Sequence, residues 1–211
     1  MTGDLADPLA FVKGVGRAAD EGRLLVAPFD GGEREALAGT RVLGELPGED
    51  GATPHVDIGL NDATASKMSY YLRYGADIRA ESCHGSTQTL RGSMSLSQSI
   101  PPSEAAQLPD SVTGGGQYGN DPGDQLVFVR IYGPYGGTVE SIRMDGRALD
   151  PRIVDLDGRP VATLIVQLST TKDVVINWAM ETGDGQTGDG RLGMTPSVVP
   201  GNNDASFRSA C

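Results

Sequence analysis

The stretch "SKMSYYLRYGADIRAESC", residues 66 to 83, alternates with a period of two. Tyr70, Leu72, Tyr74, Ala76, Ile78 and Ala80 fall on one face, and Tyr71, Arg73, Asp77 and Arg79 on the other. Only a strand sends successive side chains to opposite sides, so this is a half-buried antiparallel strand. "STQTLRGSMSLSQSI" repeats the pattern with Leu90, Met94, Leu96 and Ile100 inward, and "CHGS" between the two runs is suited to a hairpin turn. Further runs follow in "DQLVFVRIY", "TVESIRM", "RIVDL", "VATLIVQL" and "DVVINWAM". "MDGR", "DLDGRP" and "STTKD" supply turns between them. About seven to nine short-spaced strands with almost no helical period predict a mainly β fold, an antiparallel β-sandwich over residues 51–211. Leu72, Leu96, Leu164, Val166, Ile176 and Trp178 are its expected core.

Residues 1–50 differ in character. In "DPLAFVKGVGRAADEG", Asp7 is a plausible N-cap and Pro8 a first helical residue. Leu9, Val12, Val15 and Ala19 recur at helical spacing, and Gly22 is a stop. "RLLVAPF" reads as a short apolar strand, and "GEREALAGTRVLG" as a second helical segment from near Gly32. One strand cannot satisfy its backbone groups alone, so this helix, strand and helix are expected to be the trailing edge of a larger α/β domain. "LPGEDGATP" is the linker.

Charge narrows the partners. With 28 acidic and 17 basic residues the net charge is −11, which repels phosphate backbones, so nucleic acid is not an expected partner. No run of about 18 apolar residues is present to span a bilayer. The start, "MTGDLADPLAF", lacks the regions of a signal peptide. The chain is therefore read either as cytosolic or as a piece of a longer exported protein.

Several blocks in order, "LNDATASKMSYYLRY", "LPDSVTGGGQYGNDPGDQLVFVRIYGPYGG", "VVINWAMETGDGQTGDGRLGMTPSVVPG" and "SFRSAC", resemble the C-terminal part of actinobacterial envelope proteins grouped as domain of unknown function 4012. The resemblance covers roughly residues 55–211 and is weaker before them. It implies a membrane anchor and an extracytoplasmic α/β region upstream, with this chain supplying the C-terminal β module. It carries over no activity. Two readings follow: a noncatalytic envelope module contacting a cell-wall glycopolymer or an envelope protein, or an accessory domain of a glycopolymer-processing enzyme.

The chain has two cysteines, Cys83 and the terminal Cys211. A metal site has little support, because neither has a Cys-x-x-Cys companion and only His55 and His84 could join them. A nucleophile at Cys83 beside His84 lacks an orienting third group. A Cys83–Cys211 disulfide that fastens the terminus, with Phe207 packed on the sheet beside it, is the favoured reading, and two buried free thiols are the alternative.

No nucleophile, base and orienter set occurs, and no Gly-x-Ser-x-Gly elbow, so no catalytic residue and no cofactor is expected. Asp155, Asp157 and Gly158 begin like a calcium loop, but the twelfth position is Val166, which leaves a hairpin turn. Asp184 and Asp189 in "TGDGQTGDG" are the only carboxylates singled out for a cation, against a flexible hairpin loop. The glycine-rich "SVTGGGQYGNDPGDQ" is an ordered loop packing Tyr118 on the sheet or a loop that touches a ligand. Tyr71, Tyr118, Tyr132 and Tyr135 are the candidate stacking rings for a sugar, against the simpler reading that they pack.

Overall fold

The computed structural model describes residues 7–49, 51–121, 123–198 and 204–211. The chain forms two compact units, Met1–Pro47 and Gly48–Cys211.

In the first unit both expected helices form, the second only as far as Leu37, because each has its cap. Asp7 accepts from the Ala10 amide at 2.9 Å at the start of α1 (Pro8–Asp20), and Gly22 stops it at φ 69°. Asp30 accepts from the Gly32 and Glu33 amides at the start of α2 (Gly31–Leu37). The expected strand over "RLLVAPF" does not form. That segment has no ladder, and its Val26 amide donates to the Val42 carbonyl beside a 3-10 turn at Arg41–Leu43. A lone strand has no neighbour to pair with, and apolar spacing cannot supply one. No residue of either helix is buried, and Phe29 is fully exposed.

The second unit is the β-sandwich. One sheet has the order β11-β10-β1-β4-β8-β7, from β1 (His55–Asp62), β4 (Gln125–Tyr132), β7 (Ile153–Leu156), β8 (Arg159–Leu168), β10 (Gly190–Met194) and β11 (Asp204–Phe207). The other has the order β2-β3-β9-β5-β6, from β2 (Leu72–His84), β3 (Thr87–Gln98), β5 (Thr138–Met144), β6 (Arg147–Leu149) and β9 (Val174–Glu181). All neighbours are antiparallel except β1 and β10. The eleven strands among the described residues exceed the expected seven to nine. β1, β6, β10 and β11 are the additions. The last three are short or carry glycine, and long-range pairing holds them in their sheets.

The hairpins follow local chemistry. Asp145 and Gly146, and likewise Asp157 and Gly158, have positive φ at both positions, the backbone of a type I′ turn between twisted strands. The carboxylate of Asp155 receives the Gly158 amide, so "DLDGRP" is a hairpin turn.

The core lies between the sheets. All six expected core residues are buried, none more than 6% exposed. Trp178 lies directly across from Gly92, where a Cβ would come within 2.1 Å of the indole, so only glycine admits the ring. Phe207 covers Gly190 in the same way. The face of "SKMSYYLRYGADIRAESC" needs one correction. Tyr70 is 62% exposed, because Met68–Tyr70 make a 3-10 turn and β2 starts only at Leu72. Met68 is buried in its place, in a second small cluster with Ile100 and Ala105 under Tyr71, Leu108 and Val112.

Candidate functional site

The antiparallel strands give the sandwich two ends. At one, β2 turns into β3 and β9 leaves for β10. At the other, β1 ends and β3 runs out into the loop that carries α3 (Pro102–Ala105), α4 (Asp110–Thr113) and the glycine-rich segment before β4.

The first end holds the disulfide. Cys83 and Cys211 are bonded across a sequence separation of 128 residues. Strict alternation from Leu72 would send Cys83 outward with Arg73, Asp77 and Arg79. A β-bulge between Ala80 and Ser82 inserts one residue, so Ala80 pairs with Leu90 and Cys83 with Gln88. Directly opposed residues share a face, so Cys83 turns to the inner side with Gln88. The bulge residue Glu81 bridges Arg91 and Arg79, which would otherwise face each other as like charges across the ladder. The Arg91 guanidinium comes first among the causes that hold the Glu81 carboxyl below its usual range.

Gln88 ties this end together. Its side chain is fully buried and every polar atom has a partner. Nε2 donates to the Gln186 carbonyl at 2.9 Å and the Gly188 carbonyl at 3.0 Å, and Oε1 accepts from the Ala210 amide at 2.8 Å. One amide therefore clamps the β9–β10 loop and the C-terminal tail onto β3. Asp184 accepts from the Ser86 hydroxyl, and Asp189 accepts from the Ser209 amide at 2.8 Å. The two carboxylates hold different segments and do not share a site. The "TGDGQTGDG" loop is tied down through buried Thr182 and Gln186. Among the described residues no group of three or more His, Cys, Asp and Glu could hold a metal ion. The Cys83 sulfur is in the disulfide, which removes it as a nucleophile, and the His84 ring lies 3.0 Å from the Ser82 hydroxyl.

The other end carries a small cleft of mixed character lined by Leu60, Asp62, Ser69, Leu72, Tyr74 and the segment after β10. Asp62 organises its floor. Oδ1 accepts from the Thr64 amide and hydroxyl at 2.6 and 2.7 Å, and Oδ2 from the Ser66 hydroxyl at 2.6 Å. Burial pushes this carboxyl up, but the Ser66 and Thr64 hydroxyls and then their amides outweigh it and hold the group below its usual range. Gln125 Nε2 reaches both Asp62 Oδ2 and Ser69 Oγ at 3.2 and 3.3 Å. Its Oε1 is buried with no hydrogen-bond partner, as are Gln98 Oε1 and Asn120 Oδ1 near the same end. Tyr74 donates its hydroxyl to the Thr195 carbonyl at 2.5 Å.

The cleft volume is about 70 Å³. Small-molecule sites commonly occupy roughly 300–1,000 Å³, so this one admits a few waters or a single small polar group.

The candidate tyrosines do not gather. Tyr71 packs on the second cluster, its ring 5.1 Å from that of Tyr70 in an edge contact. Tyr132 lies against Gly59, and Tyr135 against Gly158. Tyr118 is 57% exposed, so the glycine-rich loop does not pack it on the sheet. That loop is ordered by backbone, with Gly114, Gly115 and Gly116 all at positive φ and a Cβ on Gly114 meeting the Thr64 carbonyl at 2.7 Å. Sequence reasoning passed over Asp62 and Gln125. The signal for Asp62 is local, a carboxylate followed two and four residues on by Thr64 and Ser66. Gln125 has no local signal.

No family model matches the chain, and no curated protein matches it. Among solved structures it is similar to a candidate nutrient-binding protein of Legionella pneumophila subsp. pneumophila str. Philadelphia 1, at 8% identity and a TM-score of 0.39. The likeness covers 70% of this chain and 56% of that one, so the chain spans little more than half of that protein's length. A likeness at this depth carries no inference about fold or function.

Proposed function

We propose that this chain is a noncatalytic, extracytoplasmic β-sandwich module of a membrane-anchored cell-envelope protein, with a structural or binding role toward a glycopolymer or a protein partner. The disulfide carries the reading. A bond between Cys83 and the chain's last residue persists in an oxidising compartment and is reduced in an ordinary cytosol. The described residues contain no helix long and apolar enough to cross a membrane, which is compatible with anchoring by another part of the protein. The noncatalytic part rests on the sequence, in which no nucleophile, base and orienter set occurs, and the cleft agrees with it. The carboxylate on the cleft floor already accepts several hydrogen bonds and is held below its usual range, which makes it a poor proton acceptor near neutral pH.

A second reading, an accessory domain of an envelope glycopolymer-processing enzyme, draws on the first unit. Leu9, Phe11, Val12 and Val15 are exposed along α1, a surface suited to burial in a larger α/β domain.

The test is nonreducing peptide mapping of protein taken from its native cells with thiols alkylated at harvest. The expected result is a linked Cys83–Cys211 peptide pair. Two alkylated thiols would overturn the location. Turnover of an ester, glycoside or lipid pyrophosphate, abolished by a point change within residues 55–211, would overturn the noncatalytic reading.

A further inference from the structure

We infer that the free edge of β2 is a self-association surface, on which a second copy of this chain pairs its own β2 antiparallel about a two-fold axis at Ile78. β2 is 13 residues long, contains no proline and has β3 on one side only. Among the described residues, the backbone of residues 75–82 makes no backbone hydrogen bond outside the β3 ladder. An edge of this length leaves a row of amides and carbonyls turned to solvent, which is a template for another strand.

The side chains at this edge are also incomplete. On β3 the inward Gln88, Leu90, Met94 and Leu96 are at most 1% exposed. Beside them Tyr74, Ala76, Ile78 and Ala80 of β2 pack on the same core and are only partly buried. A second copy would cover that row by continuing the sheet.

Charge selects the occupant and the register. Side chains keep their faces only when the axis passes through a residue, so the registers are few. An axis at Asp77 or at Arg79 sets that residue against itself, and one at Ala76 sets Arg73 against Arg79. An axis at Ile78 places Asp77 opposite Arg79 of the second copy, and Arg79 opposite its Asp77, with Ala76 opposite Ala80. The overlap is uninterrupted from Ala76 to Ala80, and the bulge at Glu81 closes it at each end. Axes at Gly75 and Ala80 also join opposite charges, but each meets an obstacle. The first depends on Arg73, whose guanidinium is tied at 3.0 and 2.9 Å to the Tyr70 and Leu72 carbonyls, whereas Arg79 has a longer contact of 3.3 Å to the exposed Glu81 carboxylate. The second puts the bulge on the axis. In the Ile78 register Glu81 faces Gly75, where the space is open. Asp77 and Arg79 are both exposed. Asp77 has no ion pair among the described residues, so it is available to a partner.

The experiment is sedimentation velocity on the full chain across a concentration series, independent of compartment or ligand. The wild type should show a reversible monomer–dimer equilibrium. Asp77→Arg turns both cross-strand pairs repulsive and should weaken the dimer by about tenfold or more. The swap Asp77→Arg with Arg79→Asp should restore it, and unchanged circular dichroism would show that each variant folds. Ile78→Cys should give a disulfide-linked dimer under mild oxidation, as expected of a residue on the axis. A wild type that stays monomeric at the highest attainable concentration overturns the inference. So does a dimer indifferent to Asp77→Arg, a swap that fails to restore pairing, or an Ile78→Cys dimer that does not cross-link.

Discussion

Gln88 and Gln125 are the same residue at opposite ends of one sandwich, both fully buried at the start of a strand, and their surroundings differ. Gln88 makes three hydrogen bonds to main-chain groups of the β9–β10 loop and the tail, beside a disulfide. Gln125 spends its NH2 group on Asp62 and Ser69 and leaves Oε1 without a partner. A buried amide contributes little when satisfied and costs free energy when a partner is missing. The disulfide end is therefore a closed structural joint. The cleft end holds the unspent polar capacity, and low local stability and binding are expected there.

Four experiments break or sharpen that contrast. The largest effect should come from replacing both Cys83 and Cys211 by alanine. In the chain-entropy model a loop of this length contributes about 4–5 kcal/mol, read as a lower denaturation midpoint that matches wild type under reductant. A loss well under ~1 kcal/mol would mean that Gln88 and β11 hold the tail without the bond. Next is Gln88→Leu, which strands two carbonyls and one amide and should cost about 2–4 kcal/mol in denaturant unfolding. Gln125→Leu removes an unpartnered oxygen along with two hydrogen bonds, and should cost about 1 kcal/mol or less. If Gln125→Leu proves the more damaging, the contrast between the ends is wrong.

The smallest effect is acid dependence at the cleft end. The Asp62 carboxyl is held below its usual value of 3.8 in the folded chain, so the folded state binds the proton less readily than the unfolded one. Its contribution is fully present above the unfolded value and is lost as pH falls through the lower folded value. The stability gap between wild type and Asp62→Asn should therefore be flat from neutral pH to about pH 4 and close below it. A gap that widens on acidification would reverse the sign assigned to Asp62.

The strands that were legible were those whose alternation is long or whose turns contain Asp-Gly. β1 is legible in the alternation of Val56, Ile58 and Leu60. β10 and β11 were not legible. Gly190 and Gly193 weaken any strand signal in β10, and both glycines have a tertiary reason, the Phe207 ring and the Asp57 carboxylate. The separate placement of the tyrosines has a related reason. Exposure and spacing along the chain do not say which rings share a surface, and Tyr71, Tyr118, Tyr132 and Tyr135 turned out to lie on separate features.

Local chemistry in the sequence determined the helix caps at Asp7 and Asp30, the type I′ turns at Asp145–Gly146 and Asp157–Gly158, the alternation of the long strands and the six core positions. Each depends on residues a few positions apart. Tertiary structure decided where that alternation breaks. Counting from Leu72 sends Cys83 to solvent, and only the ladder with β3 shows the bulge at Glu81 that turns it toward Gln88 and within reach of Cys211. It also decided that Gln88 would be saturated and Gln125 not, because the partners of a buried amide come from segments distant in sequence and brought together by packing.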